Sequence, residues 1–573
     1  MRTRPVEADA AETAPPSNGR GRARRLHLGE RQRDAIALAI IAVVFLVPLR
    51  GLLRAPGPPM EEGFMLVFPE RVLHGDVANR DFLHLYGPGS LWALAGAFKV
   101  FGVSLWTERI FGLLQQMAVA FGVFAIARVW GRRLAVCCGA TSAVIIIPFG
   151  LAALAWVGGV GLALLGLAAG LSARRTPDQP RAGRWAVAAG LLLGVALLFR
   201  LDLALAVGLA VLALCWGMPR TLTKRVLGGI AVGVAPYAVH VAMAGPRNVV
   251  RGMILDPLIH LRGGRGLPIP PSWSHLDGFL QRSGAFQQIP WPLPSLAASK
   301  QLFLWFFLLL LVDAFLLLVA WRVVRDATRA TTARALLVVA LFSAGLLPQA
   351  IQRVDSAHFA WVGCVSFGVL PLAVFEVARR AAPRVALGRV AIASGAAVLA
   401  LVLVVIPTFT FRRYGDYTLQ TLGFHRNAFL IERNGRAFYY GKADRAAAAN
   451  MVITEAARLA KPGDRLFVGP VNLRKTPYSD AYLYYMLPEL RPATYYIEMD
   501  PGVANAEHSR MPKDLASADI VILSSIWDNW NEPNGSRKTG SAKSQEVLTA
   551  DFCKVGSYLG NYVLYRKCHG RTG

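Results

Sequence analysis

Two adjacent carboxylates, Glu61 and Glu62, follow the first strongly apolar segment of the chain, and a stretch rich in polar residues comes after them. That stretch includes Arg80, Asp81 and Tyr86 and ends in a turn rich in glycine and proline. A carboxylate at the mouth of an apolar cavity can take a proton from a reacting hydroxyl group or ligate a metal ion. We therefore take Glu61, Glu62 and Asp81 as candidate catalytic residues, and Arg80 and Tyr86 as candidate substrate-binding residues. The alternative, on residue types alone, is a long solvated loop with ordinary charges.

The loop has a pattern that matches a known family. It reads MEEGF at residues 60–64, ERVLHG at 70–75, RDF at 80–82 and YGPG at 86–89. This pattern resembles the first external loop of the GT-C superfamily, the membrane glycosyltransferases that use polyprenyl-phosphate sugars. Protein O-mannosyltransferases and aminoarabinose transferases are among its members. The similarity is specific over residues 61–109, looser over the membrane part to about residue 410, and does not extend beyond that point.

The resemblance implies a reaction and roles for individual residues. A sugar on a polyprenyl-phosphate donor would pass to an extracytoplasmic acceptor, which is a glycan, a lipid or a protein. Glu61 would be the base that deprotonates the acceptor hydroxyl, although the family usually has the shorter Asp at this position. Glu62 would support Glu61 or share a divalent cation with it, and no other cofactor is implied.

Composition and charge place the chain in the membrane. Of its 573 residues, 54% are hydrophobic, and its formal net charge is +27. A chain this apolar needs many membrane spans. Its arginines fall in short loops between apolar segments, which is the positive-inside pattern and not the basic face with interleaved aromatics that binds nucleic acid. We therefore expect a lipid bilayer around the protein and exclude a nucleic-acid partner.

About eleven apolar segments are long enough to cross a bilayer. They lie near residues 35–53, 107–127, 134–149, 152–171, 184–199, 202–217, 225–243, 300–321, 334–350, 358–379 and 388–410. Placing every arginine cluster in the cytoplasm puts the N-terminus inside and the C-terminus outside. Segment 89–101 is too short for a hydrocarbon core of about 30 Å, so it predicts a helix at the external face that starts near Pro88 and ends near Gly102.

This topology places Arg200, Arg353 and His358 at external ends of spans. Charges so close to the membrane core are costly unless they are paired or line a wet cavity, and arginine is well suited to phosphate. We therefore take these three residues as candidate contacts to the lipid phosphate or the substrate. For Arg200 the alternative is a snorkelling pair with Asp202. The proline-rich loop 245–299 is either a spacer or a lid over the substrate.

The composition divides the chain into three regions. We predict a disordered cytoplasmic tail over residues 1–34, a GT-C-like transmembrane domain over 35–410 with the catalytic external loop 54–106, and an extracytoplasmic α/β domain over 411–573. The predicted fold class is therefore a polytopic α-helical membrane protein with a C-terminal α/β domain.

Two features of the last region carry predictions of their own. Cys553 and Cys568 flank two strand-like runs that meet near Gly560, and a tight hairpin there would bring the two thiols within reach of a disulfide. Trp527 and Trp530 could stack on sugar, although such aromatic residues more often belong to a core.

The function these observations favour is sugar transfer from a polyprenyl-phosphate donor to an extracytoplasmic acceptor of the cell envelope. One alternative is a transporter or flippase for lipid-linked glycans, and another is a non-catalytic assembly protein. The chain shows no internal repeat of the kind that many transporters have. The acid pair at the end of the first span favours the enzyme.

Overall fold

The membrane part of the chain is built from long apolar helices. The computed structural model describes residues 29–286, 289–326 and 329–568. The helices up to residue 405 are α1 (Glu30–Leu46), α2 (Leu49–Leu52), α3 (Glu61–Leu73), α4 (Pro88–Phe101), α5 (Leu105–Ala127), α6 (Arg132–Ile146), α7 (Ala155–Arg175), α8 (Pro180–Phe199), α9 (Ala204–Cys215), α10 (Arg220–Val234), α11 (Pro236–Ala244), α12 (Pro246–Val250), α13 (Arg262–Arg265), α14 (Phe279–Ala285), α15 (Ala298–Val324), α16 (Ala330–Gln352), α17 (Ser356–Ala381) and α18 (Leu387–Val405), with a π-helix at Arg251–His260.

Nine helical segments of the described part of the chain are long and apolar enough to cross a membrane. They are α5, α6, α7, α8, α10 continued by α11, α15, α16, α17 and α18. Each coincides with a predicted span, so the chain is a multi-pass membrane protein. Predicted span 202–217 corresponds to the shorter apolar segment Leu201–Cys215, and 35–53 corresponds to α1, which has 17 residues. The count of about eleven spans stays a prediction.

The first helix begins inside the predicted tail. Residues 30–34 are helical because α1 starts at Glu30, so the predicted tail 1–34 extends too far. The carboxylate of Asp34 accepts hydrogen bonds from Arg128 Nε at 2.8 Å and Arg132 Nε at 2.6 Å. These contacts hold the start of α1 against the C-terminal end of α5 and the first residue of α6. The remainder of the predicted tail, residues 1–28, lies outside the described residues.

The short apolar helix α4 has the predicted bounds. Pro88 is in its first turn, and Gly102 follows its last residue with φ 87°, a left-handed conformation that glycine adopts without a Cβ clash. A Cβ on Gly87 would lie 2.1 Å from the carbonyl oxygen of Leu198, so only glycine fits there. The YGPG turn therefore lies against the end of α8 and brings Tyr86 close to Arg200.

The region after residue 410 is the predicted α/β region. Its elements are α19 (Phe411–Leu422), β1 (Phe429–Arg433), β2 (Arg436–Tyr440), α20 (Ala443–Leu459), β3 (Arg465–Pro470), α21 (Tyr482–Met486), β4 (Arg491–Pro492), α22 (Met511–Ala516), β5 (Ile520–Ser524), α23 (Lys543–Asp551), β6 (Phe552–Tyr558) and β7 (Tyr562–Lys567). β1 and β2 form a hairpin, and a five-stranded sheet has the order β4-β3-β5-β7-β6. β3 is parallel to β4 and β5, whereas β7 is antiparallel to β5 and β6.

A disulfide lies at the edge of this sheet. Cys553 on β6 and Cys568 just after β7 are bonded, with their Cα atoms 5.2 Å apart. Gly560, with φ 66°, lies in the turn that joins the two strands. This is the pair that the hairpin pattern predicts.

Helix α3 shares a hydrophobic core with the C-terminal region. Phe64 and Phe68 of α3 are buried in one cluster with Tyr482 and Leu564. A Cβ on Gly63 would lie 2.4 Å from the backbone nitrogen of Tyr482, so glycine allows α3 to approach α21. Burying each large side chain of this kind stabilises the fold by about 1.5–3 kcal/mol. The first external loop, which contains α3, and the C-terminal region share this core. The division into domains at residue 410 therefore stays a prediction.

Candidate active site

Glu61 is the first residue of α3 and is half-buried. The phenol of Tyr478 donates a hydrogen bond to its Oε2. Burial raises the pKa of Glu61 above its ordinary value, against the hydrogen bond from Tyr478 and the positive charges of Arg265 and Arg353, which lower it. A half-buried carboxylate with a raised pKa, surrounded by a donor and two cations, has the properties of a general base.

Glu62 points away from this group. Its two oxygens accept hydrogen bonds from Arg109, from Nε to Oε1 at 2.7 Å and from Nη2 to Oε2 at 2.8 Å. Arg109 also donates to the carbonyl oxygens of Leu52 and Ala55, at 3.2 and 3.0 Å. Both side chains are buried. Consecutive residues on a helix face different directions, so the arrangement fits a supporting role for Glu62 better than a shared metal site.

The described residues include no group of three or more His, Cys, Asp or Glu side chains that could hold a metal ion. Because Arg109 occupies both oxygens of Glu62, the predicted cation site would have to rest on Glu61 with other ligands. A divalent cation between Glu61 and Glu62 therefore does not fit this geometry.

Arg353 joins the membrane helices to the C-terminal region. Its Nε donates to Asp355 Oδ2 at 3.0 Å, and its Nη2 donates to the two carboxylate oxygens of Glu532 at 2.8 and 3.0 Å. Its Nη1 donates to the backbone carbonyl of Arg265. The guanidinium group is thus held rigidly and still contributes positive charge at Glu61.

Arg265 is a site residue that sequence reasoning missed. Its guanidinium group donates to the carbonyl of Pro477 at 2.9 Å and to Asp500 Oδ1 at 3.2 Å. It lies in the loop 245–299, so part of this loop packs against the site. The basic run around residue 262 offered no sign that one of its arginines faces Glu61.

His358 belongs to the same network as Arg353. Asp355 caps the start of α17 by accepting from the backbone N–H of His358 at 2.9 Å, and its Oδ1 lies 2.9 Å from His358 Nδ1. The imidazole ring packs on Trp361 with ring centroids 4.5 Å apart. The predicted role of His358 in substrate contact stays a prediction.

Arg200 and Tyr86, both predicted to contact substrate, lie together. The guanidinium carbon of Arg200 is 4.4 Å from the centroid of the Tyr86 ring and 5.4 Å from that of Trp156. Arg200 Nε also donates to Asp202 Oδ1 at 3.0 Å. Burial raises the pKa of Tyr86, and the negative charge of Glu61 acts in the same direction. The two rings and Asp202 together hold the guanidinium group. The predicted contact of Arg200 with substrate or lipid phosphate stays a prediction, and so does the alternative of a snorkelling pair with Asp202.

Asp81 and Arg80 form a local turn. Asp81 Oδ2 accepts from the backbone N–H of Val77 at 2.7 Å and from Arg80 Nη2 at 2.8 Å. Arg80 is exposed. The described contacts of Asp81 therefore stabilise this turn. None of them joins Asp81 to Glu61, so its role as a second catalytic carboxylate stays a prediction.

Two other acids, Glu498 and Asp500, lie near Glu61. Both are buried, at 6% and 2% exposure, and within the described residues Glu498 Oε1 and Asp500 Oδ2 have no hydrogen-bond partner. Burial, followed by the charge of Asp500, raises the pKa of Glu498 well above its ordinary value, and the charge of Glu61 acts in the same direction. Met499, with φ 52°, turns the chain between them. The two acids gave no functional signal in the sequence, although the Tyr-Tyr run before them could stack on sugar or belong to a core.

Trp527 and Trp530, the two tryptophans that could stack on sugar, pack around Tyr478. The ring of Tyr478 lies 4.3 Å from Trp527 and 5.1 Å from Phe279, between centroids. Trp530 is 5.3 Å from Phe279. Trp527 is buried and donates from Nε1 to Asp480 Oδ2 at 3.1 Å. The cluster orients the phenol that bonds Glu61.

Comparison with known proteins gives one informative match. No protein-family model and no curated protein matches the sequence. The structure of ArnT from Cupriavidus metallidurans bound to undecaprenyl phosphate superposes with a TM-score of 0.54 at 17% identity, over 94% of this chain and 99% of that one. Apo ArnT gives 0.49 at 16% identity over 93% and 98%, and the apo Archaeoglobus fulgidus oligosaccharyltransferase gives 0.47 at 11% over 94% and 74%. The first match shows that the chain shares the fold of ArnT along nearly its whole length, which confirms the predicted polytopic helical fold with a C-terminal α/β region.

Proposed function

We propose that the chain is a membrane glycosyltransferase that moves a sugar from a polyprenyl-phosphate donor to an acceptor outside the cytoplasm. The observation that carries the proposal is the environment of Glu61, a half-buried carboxylate with a raised pKa beside a phenol donor and two arginines. The fold supports it, because ArnT with this fold binds undecaprenyl phosphate.

The reaction assigns a separate task to each group. The acceptor hydroxyl oxygen attacks the anomeric carbon of the donor sugar, the bond from that carbon to the phosphate oxygen breaks, and the hydroxyl proton passes to Glu61. A carboxylate of raised pKa holds that proton more readily at neutral pH than an ordinary glutamate does. The lipid phosphate leaves with one more negative charge.

The cations of the site offset that charge. Arg265 and Arg353 lie within electrostatic reach of Glu61, and Arg200 lies over the rings of Tyr86 and Trp156. Guanidinium groups that are fixed before the reaction stabilise a developing negative charge without reorganising. We assign Arg200 and Arg353 to the donor phosphate, with Arg265 as a further contributor.

One oxygen each of Glu498 and Asp500 lacks a hydrogen-bond donor among the described residues. Buried carboxylate oxygens without a protein partner are costly unless a ligand satisfies them. Hydroxyl groups of the sugar or of the acceptor would supply those hydrogen bonds. We therefore assign these two acids to substrate hydroxyls.

The orientation in the membrane follows from the same proposal. The N-terminus lies in the cytoplasm, and the α/β region lies outside, where a disulfide such as Cys553–Cys568 persists. The donor then enters from the bilayer and the acceptor from the external solution.

The test is a transfer assay with purified full-length protein. The protein is incubated in detergent with polyprenyl-phosphate donors that carry a defined hexose or pentose, together with an extract of cell-envelope acceptors. Mass spectrometry identifies the products. A new glycosidic bond that forms only with active protein supports the proposal. A transporter predicts instead that lipid-linked sugar crosses proteoliposome membranes with no bond formed, and that outcome overturns the enzyme assignment.

A further inference from the structure

A second group of arginines lies at the ends of the spans opposite the candidate active site. Helix α7 begins next to Trp156, which contacts Arg200, and ends at Arg175. Helix α16 ends next to Arg353 and contains Arg334 near its start. A helix of this length extends about 30 Å, so the two groups of arginines are on opposite faces of the membrane part.

These far ends enclose a cavity of about 270 Å³. It is lined by Val129, Leu171, Arg174, Arg175, Val324, Asp326, Ala330, Thr331, Ala333, Arg334 and Ala335. Three guanidinium groups against the one carboxylate of Asp326, which has interactions of its own, give the lining a net charge of +2. The rest of the wall is mostly apolar.

The described hydrogen bonds of the three arginines go to neutral oxygens. Arg174 Nη1 donates to the carbonyl of Leu214 at 2.9 Å, and Arg334 Nη1 donates to that of Ala213 at 3.0 Å, both in the last turn of α9. Arg175 Nη2 donates to Ser172 Oγ at 2.9 Å. Each guanidinium group has five N–H donors, so most of them remain for a ligand. Arg174 and Arg334 are also close enough to repel each other.

The positive-inside pattern accounts for arginines on this face, but it does not account for their convergence on one cavity. Charges that only orient a span gain by spreading into water, whereas Arg174 and Arg334 come from helices far apart in the sequence and are partly buried side by side. An anion between them would remove the repulsion. Phosphate is the anion that paired guanidinium groups bind best.

We propose that this cavity binds a phosphate group, supplied by the headgroup of an anionic lipid or by free phosphate. The apolar part of the wall suits the acyl side of a lipid, and the position at the ends of the spans is that of a lipid headgroup. The site is separate from the proposed transfer reaction, and its ligand would hold α7, α9 and α16 together.

The test measures binding to purified full-length protein and to three variants. Phosphatidylglycerol and phosphatidylcholine are titrated in native mass spectrometry, and inorganic phosphate is titrated in a thermal unfolding assay. Arg175→Gln leaves the α9 contacts intact and so avoids a folding defect. Arg174→Gln with Arg334→Gln removes the central pair, and Arg384→Gln, an exposed arginine between α17 and α18, is the matched control.

We expect wild type to retain phosphatidylglycerol over phosphatidylcholine, and each lost cavity arginine to weaken that binding by about fivefold, with Arg384→Gln unchanged. If inorganic phosphate also raises the unfolding midpoint of wild type but not of Arg175→Gln, the phosphate group alone is sufficient. If only the lipid binds, the acyl part contributes. Equal binding by wild type and Arg175→Gln, or an equal loss in Arg384→Gln, overturns the proposal.

Discussion

The phenol of Tyr478 donates a hydrogen bond to the carboxylate of Glu61, 417 residues earlier in the chain. One partner begins a helix in the first external loop, and the other belongs to the α/β region after the last span. The proposed base is therefore positioned by a part of the chain that the family resemblance does not cover. Substitutions of Glu61 and Tyr478 can therefore test the role of this contact in the rate of transfer and in its pH dependence.

We expect Glu61→Gln to lower the transfer rate by about 10² to 10⁴ while the protein stays folded. The amide keeps the shape of the side chain and can still accept from Tyr478, but it cannot take the acceptor proton. Single-turnover transfer with purified protein, alongside a thermal unfolding curve, measures both. A variant with the wild-type rate would remove Glu61 from the mechanism.

We expect Tyr478→Phe to shift the acid limb of the pH–rate profile to higher pH. A base works only when deprotonated, so activity falls as pH drops through the raised pKa of Glu61. The Tyr478 hydrogen bond stabilises the carboxylate, so losing it raises that pKa further. Tyr484→Phe is the control, because its phenol oxygen accepts from the backbone of Val468 at 2.8 Å instead. Identical profiles in wild type and Tyr478→Phe would show that the bond does not tune the base.

We expect Glu62→Gln to reduce stability more than chemistry. The change removes the carboxylate that accepts two hydrogen bonds from the buried Arg109, and breaking a buried ion pair costs about 3–5 kcal/mol. The double variant Glu62→Gln with Arg109→Met should recover part of that loss, because the buried guanidinium group that Glu62 pairs with is removed as well. Thermal unfolding in detergent measures both variants. If Glu62→Gln keeps the wild-type unfolding midpoint but loses transfer, Glu62 takes part in the chemistry.

We expect Arg353→Ala and Arg200→Ala to raise KM for the lipid donor more than KM for the acceptor. The reason is the proposed contact of their guanidinium groups with the donor phosphate. Arg384→Ala is the matched control, because Arg384 is exposed, lies between α17 and α18 and is not a candidate site residue. Donor KM values that stay at the wild-type level in both variants would assign Arg353 to holding Glu532 and Arg200 to holding Asp202.

Local patterns in the sequence predicted the helices of the membrane part. Nine of the eleven predicted spans are long apolar helices in the described residues, and Pro88 and Gly102 bound α4 as predicted, because these signals act over a few residues. Arg265, Tyr478, Glu498 and Asp500 were missed because they reach Glu61 only through contacts between segments some 200 to 440 positions apart, as the chain numbering shows. Asp81 was overvalued because residue type alone does not reveal that a carboxylate closes a turn.

The disulfide tests the topology. We expect Cys553 and Cys568 to be unreactive toward an impermeant thiol reagent on intact cells, and to react there after reduction. A loop this short stabilises the fold by about 3 kcal/mol at most. Labelling that needs permeabilised cells and no reductant would place the α/β region in the cytoplasm, and with it the proposed active site. Cys137, a free cysteine within α6, is an internal control for membrane-buried thiols.

The bonds from Arg353 to Glu532 and from Tyr478 to Glu61 set an order of events in biosynthesis. A ribosome completes the membrane helices while residues 478 and 532 are still to be made. At that stage the nascent chain already carries Glu61 and Arg353, and Arg353 can bond to Asp355, but Tyr478 and Glu532 are not yet present. The proposed active site can therefore be complete only after the last region has been translated and folded, so we expect a chain truncated after its spans to insert into the membrane without becoming active.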